Sequence, residues 1–278
     1  MIRKFIVGML RLTGVLAIWA ALWLGVVALD NREAVYEAKF IFAGTQEDAD
    51  CSILISGDNC IMIDTGEAAD AEHILDLLKQ NNVDRIDCMI LTHPDQDHVG
   101  GASYIIDEIP VTQIVIPYFV GEKQVYNELM QKVETMNIPV QTLSRDRLYS
   151  YGDVDVRVFS PEKFHYNKSN DYSLAVLAEH GDNAFFLAGD AQKDRIEELF
   201  KLDLPEINVY KTAYHGRDTE LSGELIEKLK PEYAVVTAAE PEKETGELFR
   251  NLGTEVISTI DQDCIFVSDG EEVRKSND

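Results

Sequence analysis

The chain is short of cysteine pairs, of positive charge and of repeated sequence, and these shortages narrow what it can be. Its four cysteines, Cys51, Cys60, Cys88 and Cys264, include no CxxC pair. A thiolate zinc site, a dithiol redox motif and a disulfide framework are therefore not indicated. A two-residue turn at Gly57-Asp58 would set Cys60 opposite Ile55 rather than Cys51, which leaves free thiols that fill core space. Lys and Arg number 25 against 50 Asp and Glu, a formal net charge of −25 at pH 7. A field of that sign repels nucleic acid and anionic lipid at long range, so nucleic acid is a disfavoured partner. No Lys/Arg run follows residue 11, and no internal repeat or low-complexity segment is present.

What the chain has in excess lies at its start. Residues 12–29, LTGVLAIWAALWLGVVAL, are apolar throughout, and FIVGML precedes them. That length suffices to cross a bilayer. Arg3 and Lys4 come before the stretch and Asp30 and Glu33 after it, so the positive-inside bias puts the N-terminus in the cytoplasm and the rest outside. The expectation is a single-pass anchor in the cell membrane over residues 1–30, a linker over 31–36 and one extracytoplasmic domain over 37–278. A cleavable signal ending at Ala28, with Val26 before it, is the rival reading and would make the domain secreted.

The remaining 240 or so residues suit one large domain. Strand-like runs fall at 38–42, 52–55 and 60–63, with the hairpin turn SGDN between the last two. Residues 70–80 read as a helix with Ile74, Leu75, Leu77 and Leu78 on one side. A buried strand at 88–92, a helix at about 99–107, a strand at 113–117 and a helix at 122–136 follow. Strands are then expected near 139–143, 154–159, 173–179 and 184–188, a helix at 191–200 and a strand at 207–211. A helix at 221–229, a strand at 233–238, a helix at 244–252 and two closing strands complete an α/β layered domain.

Polar residues cluster where those strands end. Asp64 follows CIMI; His93, Asp95, Asp97 and His98 follow CMILT; Asp190 follows FFLAG; His215 follows the strand ending at Lys211. In layered α/β folds the loops at one end of the strands converge. Imidazole and carboxylate together suit Zn, Mn or Fe. His93, Asp95 and Asp97 alternate along an extended segment and project from one face. Asp97 and His98 stand where a helix begins, so these neighbours can face different metals. An Asp-rich surface turn is the bland reading of HPDQDH; the Gly-Asp at 189–190 and His-Gly at 215–216, in that order, count against it. His73, His165 and His180 are expected to be structural or solvent-facing.

This pattern resembles the metallo-β-lactamase superfamily, whose signature is HxHxDH, a distant Asp after a strand and a distant His. More narrowly it resembles the extracytoplasmic domain of the competence DNA-uptake protein ComEC, a branch with Asp at the second His position, as Asp95 is here. IMIDTG, ILTHPDQDHVGG, NDYSLAVLAEHGDNAFFLAGDA and YKTAYHG carry the likeness, which runs from about residue 38 to the C-terminus. The resemblance implies an αβ/βα sandwich binding two divalent ions, Zn2+ or Mn2+, the first more weakly. His93 and Asp95 would hold the first, Asp97, His98 and His215 the second, and Asp190 would bridge them. Asp64 would support the ligand loop by hydrogen bonding. Asn170, Asp171 and Ser173 sit where the third lactamase-type His is missing. A metal-activated water would then attack phosphorus or a carbonyl, with Asp97 and Asp190 at the reacting centre and Lys211 contacting a substrate phosphate.

Three motifs depart from the family. Its DVGQGD-type turn is replaced by AGTQEDADCS at 43–52, its HHGS by YHGR with Tyr214 and Arg217, and its Gly-His-Pro has no counterpart in 237–249, which contains no His. The ligands are kept while the groups that handle substrate have changed. The expectation is a membrane-anchored, extracytoplasmic, metal-dependent hydrolase of phosphoester bonds, acting on a phosphorylated small molecule or a phosphodiester. A ComEC-like DNA nuclease and a non-catalytic metal-binding scaffold are the alternatives.

Overall fold

A tight hairpin sets the register of the first sheet. Gly57 takes a φ of +56°, which lets the chain reverse within two residues and places Ile55 opposite Cys60 and Ser56 opposite Asn59. The hairpin joins β2 (Ser52–Ser56) to β3 (Asn59–Ile63), after β1 (Ala38–Phe42). Beyond it, β4 (Cys88–Ile90), β5 (Ile114–Pro117) and β6 (Val140–Leu143) continue the sheet in parallel. Their connections carry α1 (Ala71–Gln80), α2 (Gln96–Val99), α3 (Ala102–Glu108) and α4 (Gln124–Thr135).

The second half repeats the plan. β7 (Arg147–Tyr151), β8 (Val154–Phe159), β9 (Ala175–His180) and β10 (Asn183–Leu187) are antiparallel. Then β11 (Val209–Lys211), β12 (Tyr233–Val236) and β13 (Glu255–Ser258) run parallel to β10, joined by α5 (Lys193–Leu199), α6 (Ser222–Leu229) and α7 (Lys243–Leu252). Finally β14 (Cys264–Ser268) returns to pair with β1, and β15 (Val273–Lys275) closes that edge. One sheet therefore has the order β15-β14-β1-β2-β3-β4-β5-β6 and the other β13-β12-β11-β10-β9-β8-β7.

Alternation along the strands divides the apolar residues between two faces. Phe40, Ile61 and Ile90 of one sheet meet Val156, Phe185 and Val235 of the other in the central core. Phe40 and Phe185 stack across that gap at an interplanar angle of 6°. The outward residues lie under helices: Ile41, Met62 and Met89 against Ile74, Ile105 and Leu129, and Phe186 and Ala234 against Ile196, Leu225 and Phe249. Helices, sheet, sheet, helices make the expected αβ/βα sandwich. All four cysteines are buried free thiols.

The computed structural model describes residues 36–119 and 121–276. The expected membrane anchor and nearly all of the linker lie outside the described residues. Among the described residues no helix is long and apolar enough to cross a membrane.

Three expectations about elements need correction. The helix expected at 99–107 is two, α2 and α3, separated at Gly100 and Gly101. A Cβ on Gly101 would sit 2.2 Å from the Thr65 carbonyl oxygen and one on Gly100 2.5 Å from that of Gln96. The break lets the His98 loop press against the loop after β3. Strand β7 was not expected, because an exposed edge strand lacks a continuous apolar face to mark it. The chain closes with three strands, the third only three residues long.

Candidate metal centre

The site lies where the parallel strands of both sheets end. β3 delivers Asp64, β4 delivers His93 through His98, β10 delivers Asp190 and β11 leads to His215. Two of these turns use left-handed backbone. Asp64 has φ 58°, and Tyr214, His215 and Gly216 follow one another at φ 48°, 58° and 85°. A non-glycine residue there costs about 1–2 kcal/mol, so the surrounding contacts hold His215 in place against its own preference.

Asp190 stands at the centre. Its Oδ1 lies 3.2 Å from His98 Nε2, and its Oδ2 lies 3.3 Å from His215 Nε2 and 3.8 Å from His93 Nε2. Asp97 Oδ2 is 3.2 Å from His215 Nε2 and 3.8 Å from His98 Nε2. Thus Asp97, His98 and His215 gather around the Asp190 carboxylate, His98 at one oxygen and His215 and His93 at the other. His93 Nε2, His98 Nε2 and Asp190 Oδ1 are buried without a hydrogen-bonding partner. Buried lone pairs left unsatisfied are costly, and a divalent cation satisfies them; the donor set, imidazole nitrogens with carboxylates, fits that group.

Behind the rings a second layer decides which nitrogen faces inward. Asp64 accepts hydrogen bonds from the Thr92 amide at 2.7 Å and the Thr92 hydroxyl at 2.6 Å, and its Oδ2 is 2.7 Å from His98 Nδ1. Asp64 therefore ties the Thr92 backbone and hydroxyl to the His98 ring. Asp50, from the segment 43–52, is placed similarly behind His215. It accepts from Thr237 Oγ1 at 2.6 Å, lies 3.3 Å from His215 Nδ1 and pairs with the Lys211 ammonium. Asp50, His98, Asp190 and His215 lie close enough together to share an ion. Asp50, however, faces the Nδ1 edges of both rings and is already neutralised by Lys211, so the inward cluster is the one completed by Asp97.

Charge follows this arrangement. Burial opposes a charged Asp190, but His215 and His98 outweigh it and hold the carboxyl well below the usual range. Burial likewise opposes ionised Asp50, and Lys211, His98 and His215 reverse it. For the histidines burial favours the neutral ring, yet Asp190 and Asp50 push His215 up to about 11. Asp190, Asp64 and Asp50 push His98 upward in the same way. His93 shifts downward through burial and the neighbouring His98.

The other expected residues are accounted for as follows. Asn170 Nδ2 donates to Asp190 Oδ2 at 2.9 Å, and Ser173 Oγ accepts from the Asp190 amide at 3.0 Å. Asp171 turns away and caps the loop before α5, accepting from the Gln192 and Arg195 amides. Asp95 stands at the rim, where Ser169 Oγ donates to it at 3.0 Å and Lys123 Nζ lies 3.0 Å away. Lys211 does not reach a substrate position: it is 2 % exposed and its charge is spent on Asp50. Arg217 pairs with Asp48 and lies over the Tyr214 ring. His73 pairs with Asp263, His165 lies near Tyr172 Oη, and His180 is buried beside Ser268, all outside the cluster.

Sequence reasoning missed Asp50, Thr92, Thr237 and Lys123. A partial signal existed for Asp50, since a lysine closing the apolar strand Val209–Lys211 needs either water or a buried carboxylate. Asp50 sits among Glu47, Asp48 and other polar residues in its turn and does not stand out.

The geometry can be set beside known proteins. Over 168 residues the chain is 29% identical to ComE operon protein 3 of Bacillus subtilis, covering 59% of this chain and 21% of that protein. Over 193 residues it is 25% identical to Recombination protein 2 of Haemophilus influenzae, covering 67% of this chain and 22% of that one. The chain thus spans about a fifth of the length of either relative. Among solved structures, the metallo-beta-lactamase fold protein YhfI from Bacillus subtilis superposes with a TM-score of 0.55 at 11% identity, over 87% of this chain and all of that one. That likeness shows the fold alone. The profile of the Metallo-beta-lactamase superfamily matches residues 44–240, a span that contains every residue of the inward cluster and both layers behind it. The chain therefore belongs to the metallo-beta-lactamase superfamily, a family of metal-dependent hydrolases whose fold binds divalent metal.

Proposed function

We propose that the chain is a membrane-anchored, extracytoplasmic hydrolase of phosphoester bonds. The observation that carries the reading is the gathering of Asp97, His98 and His215 around the Asp190 carboxylate, with His98 Nε2 and Asp190 Oδ1 buried and unsatisfied. In it Asp97, His98 and His215 hold one divalent ion, Zn2+ or Mn2+, His93 and Asp95 hold a second more weakly, and Asp190 lies between. A divalent cation in such a site supplies Lewis acidity and lowers the pKa of bound water. The protein's own groups do the rest. Asp97 is the carboxylate of the inward cluster with a solvent-exposed face, at 29% of its side chain, and it is ionised at neutral pH. It receives the proton of the attacking water and can return it to the leaving alkoxide as the P–O bond breaks.

Anionic substrates are favoured by Lys123, which stands 38% exposed beside Asp95 and takes the part first expected of Lys211. The likeness to Recombination protein 2, whose name points to work on DNA, supports a phosphodiester. A formal net charge of −25 weighs against a long nucleic acid and for a smaller phosphorylated molecule. Purified chain is tested with bis(p-nitrophenyl) phosphate and short phosphodiesters after loading with Mn2+ or Zn2+. Turnover that disappears in Asp190→Asn and His98→Ala supports the reading. Bound metal without turnover across phosphomonoesters, phosphodiesters and carboxylic esters would replace it with a metal-binding scaffold.

A further inference from the structure

The sequence departures at 43–52 and 237–249 meet directly behind His215. Thr237 Oγ1 is 2.6 Å from Asp50 Oδ1 and 2.9 Å from His215 Nδ1. A hydroxyl has one proton to give. Asp50 is an acceptor only, so the Thr237 proton goes to it, and the hydroxyl oxygen is left to accept from His215 Nδ1–H. In the neutral ring, the form that binds a metal, that leaves the Nε2 lone pair facing Asp97 and Asp190, at 3.2 and 3.3 Å. The same pattern recurs across the site: Thr92 gives its proton to Asp64 at 2.6 Å and lies 3.2 Å from His93 Nδ1. Two Thr–Asp pairs, one within the first sheet and one spanning both sheets, thus stand behind two histidines.

We propose that Asp50 and Thr237 form a positioning relay for His215, in which the Lys211 ion pair fixes the Asp50 carboxylate in place. The inference rests on the reading of the inward cluster as a metal centre. Asp50 is held for this task from three sides. Its amide donates to the Asp97 carbonyl at 3.0 Å, its carbonyl accepts from the Gly66 amide at 2.8 Å, and its carboxylate carries the Lys211 ion pair. The relay therefore joins the loop before β2 and the Asp97 turn to β11 and the end of β12. A carboxylate alone, as Asp64 is behind His98, would do the same orienting work; here the Thr237 hydroxyl is the nearer partner of Nδ1, at 2.9 Å against 3.3 Å for Asp50 Oδ1, and adds a directional demand that only one tautomer of His215 meets.

The test measures zinc affinity by competition with a chromophoric chelator in the full chain, alongside metal-free thermal unfolding. Thr237→Val removes the hydroxyl and keeps the shape; it is expected to weaken the tighter zinc about 10–100-fold, the range for groups that orient a metal-binding histidine. Thr237→Ser is expected to bind as the natural chain does. In a His215→Ala background Thr237→Val is expected to cost nothing further, because its effect runs through that ring. Should Thr237→Val fail to fold, Asp50→Leu with Lys211→Met removes the relay without stranding a buried charge and is expected to show the same loss. Equal zinc affinity in Thr237→Val and the natural chain overturns the inference, as does an undiminished Thr237→Val penalty when His215 is already gone. Zinc that fails to bind the natural chain overturns the metal reading and the relay with it.

Discussion

The two sides of the metal centre are built differently. On the side of His98 and His215 each ring is buried, backed by a carboxylate or a hydroxyl at Nδ1, and aimed at Asp190 from within. On the side of His93 and Asp95 only the histidine is enclosed. Asp95 stands at the rim, 22% exposed, and answers to Ser169 and Lys123. The difference teaches that preorganisation is spent unevenly: one half is set before an ion arrives, while the other must release a lysine and a serine to complete itself. An ammonium beside Asp95 also opposes a cation there, so this side is the less prepared of the two.

The largest effect that would break this comparison is at the shared centre. Asp190→Asn removes a charge that both sides use, and it is expected to lower affinity for every bound ion by at least about 100-fold, since even groups outside the coordination sphere cost 10–100-fold; elemental analysis after gel filtration reads it. Next comes Asp64→Ala. It leaves Thr92 and His98 Nδ1 without their buried acceptor, and a loss of about 1–3 kcal/mol in stability is expected in denaturant titration, together with weakened metal binding. Losing Asp95 should touch one side only: Asp95→Ala is expected to leave about one ion per chain on the inner side, counted by the same elemental analysis. If both ions are lost together, the two sides are a single unit and the comparison fails.

Acidity offers a further test. In the metal-free chain His215 is pushed up to about 11 from an ordinary 6.5, and His98 moves the same way. A metal arriving at pH 7 must displace a proton from each, so calorimetry in buffers of different ionisation enthalpy is expected to show proton release and an affinity that rises with pH. The sign for stability is the reverse. The raised His215 value stabilises the metal-free fold fully below about 6.5, and that contribution disappears as the pH climbs through about 11. The smallest effect belongs to Lys123→Ala, an exposed ion pair worth at most about 1 kcal/mol to the fold. It is expected to raise KM for anionic substrates while easing occupation of the His93 side, which separates substrate attraction from metal exclusion.

Much of this was legible before the structure. Strands and helices with strong apolar periodicity, such as β3, α1 and β10, lie within a residue or two of their expected bounds, because one buried face dictates their pattern. The inward residues were legible because each follows a buried strand, where a polar residue has no packing reason to be. Thr92 and Thr237 were not, since a threonine after a strand is ordinary, and only the fold brings each hydroxyl against a histidine. Asp50 hid for a related reason: its partners Lys211 and Thr237 lie more than 160 residues away along the chain. Lys211 was expected to contact substrate and is instead buried against Asp50, because a charge at a strand end satisfies its need either in water or in a buried partner.

The pairing of β1 with β14 has a consequence for how the chain comes to be folded. Phe40 lies opposite Phe266, so the strand made first after the N-terminal segment waits for almost the whole polypeptide before its neighbour exists. At about 5–20 residues per second, synthesis alone imposes a delay on the order of ten seconds or more. Throughout it β1 is an open sheet edge, able to template pairing with another nascent chain. A chain cut before residue 264 would still contain every histidine and aspartate of the centre, yet it would keep that edge open permanently. Whether that edge is covered is thus decided by residues 264–268, which contribute no side chain to the cluster itself.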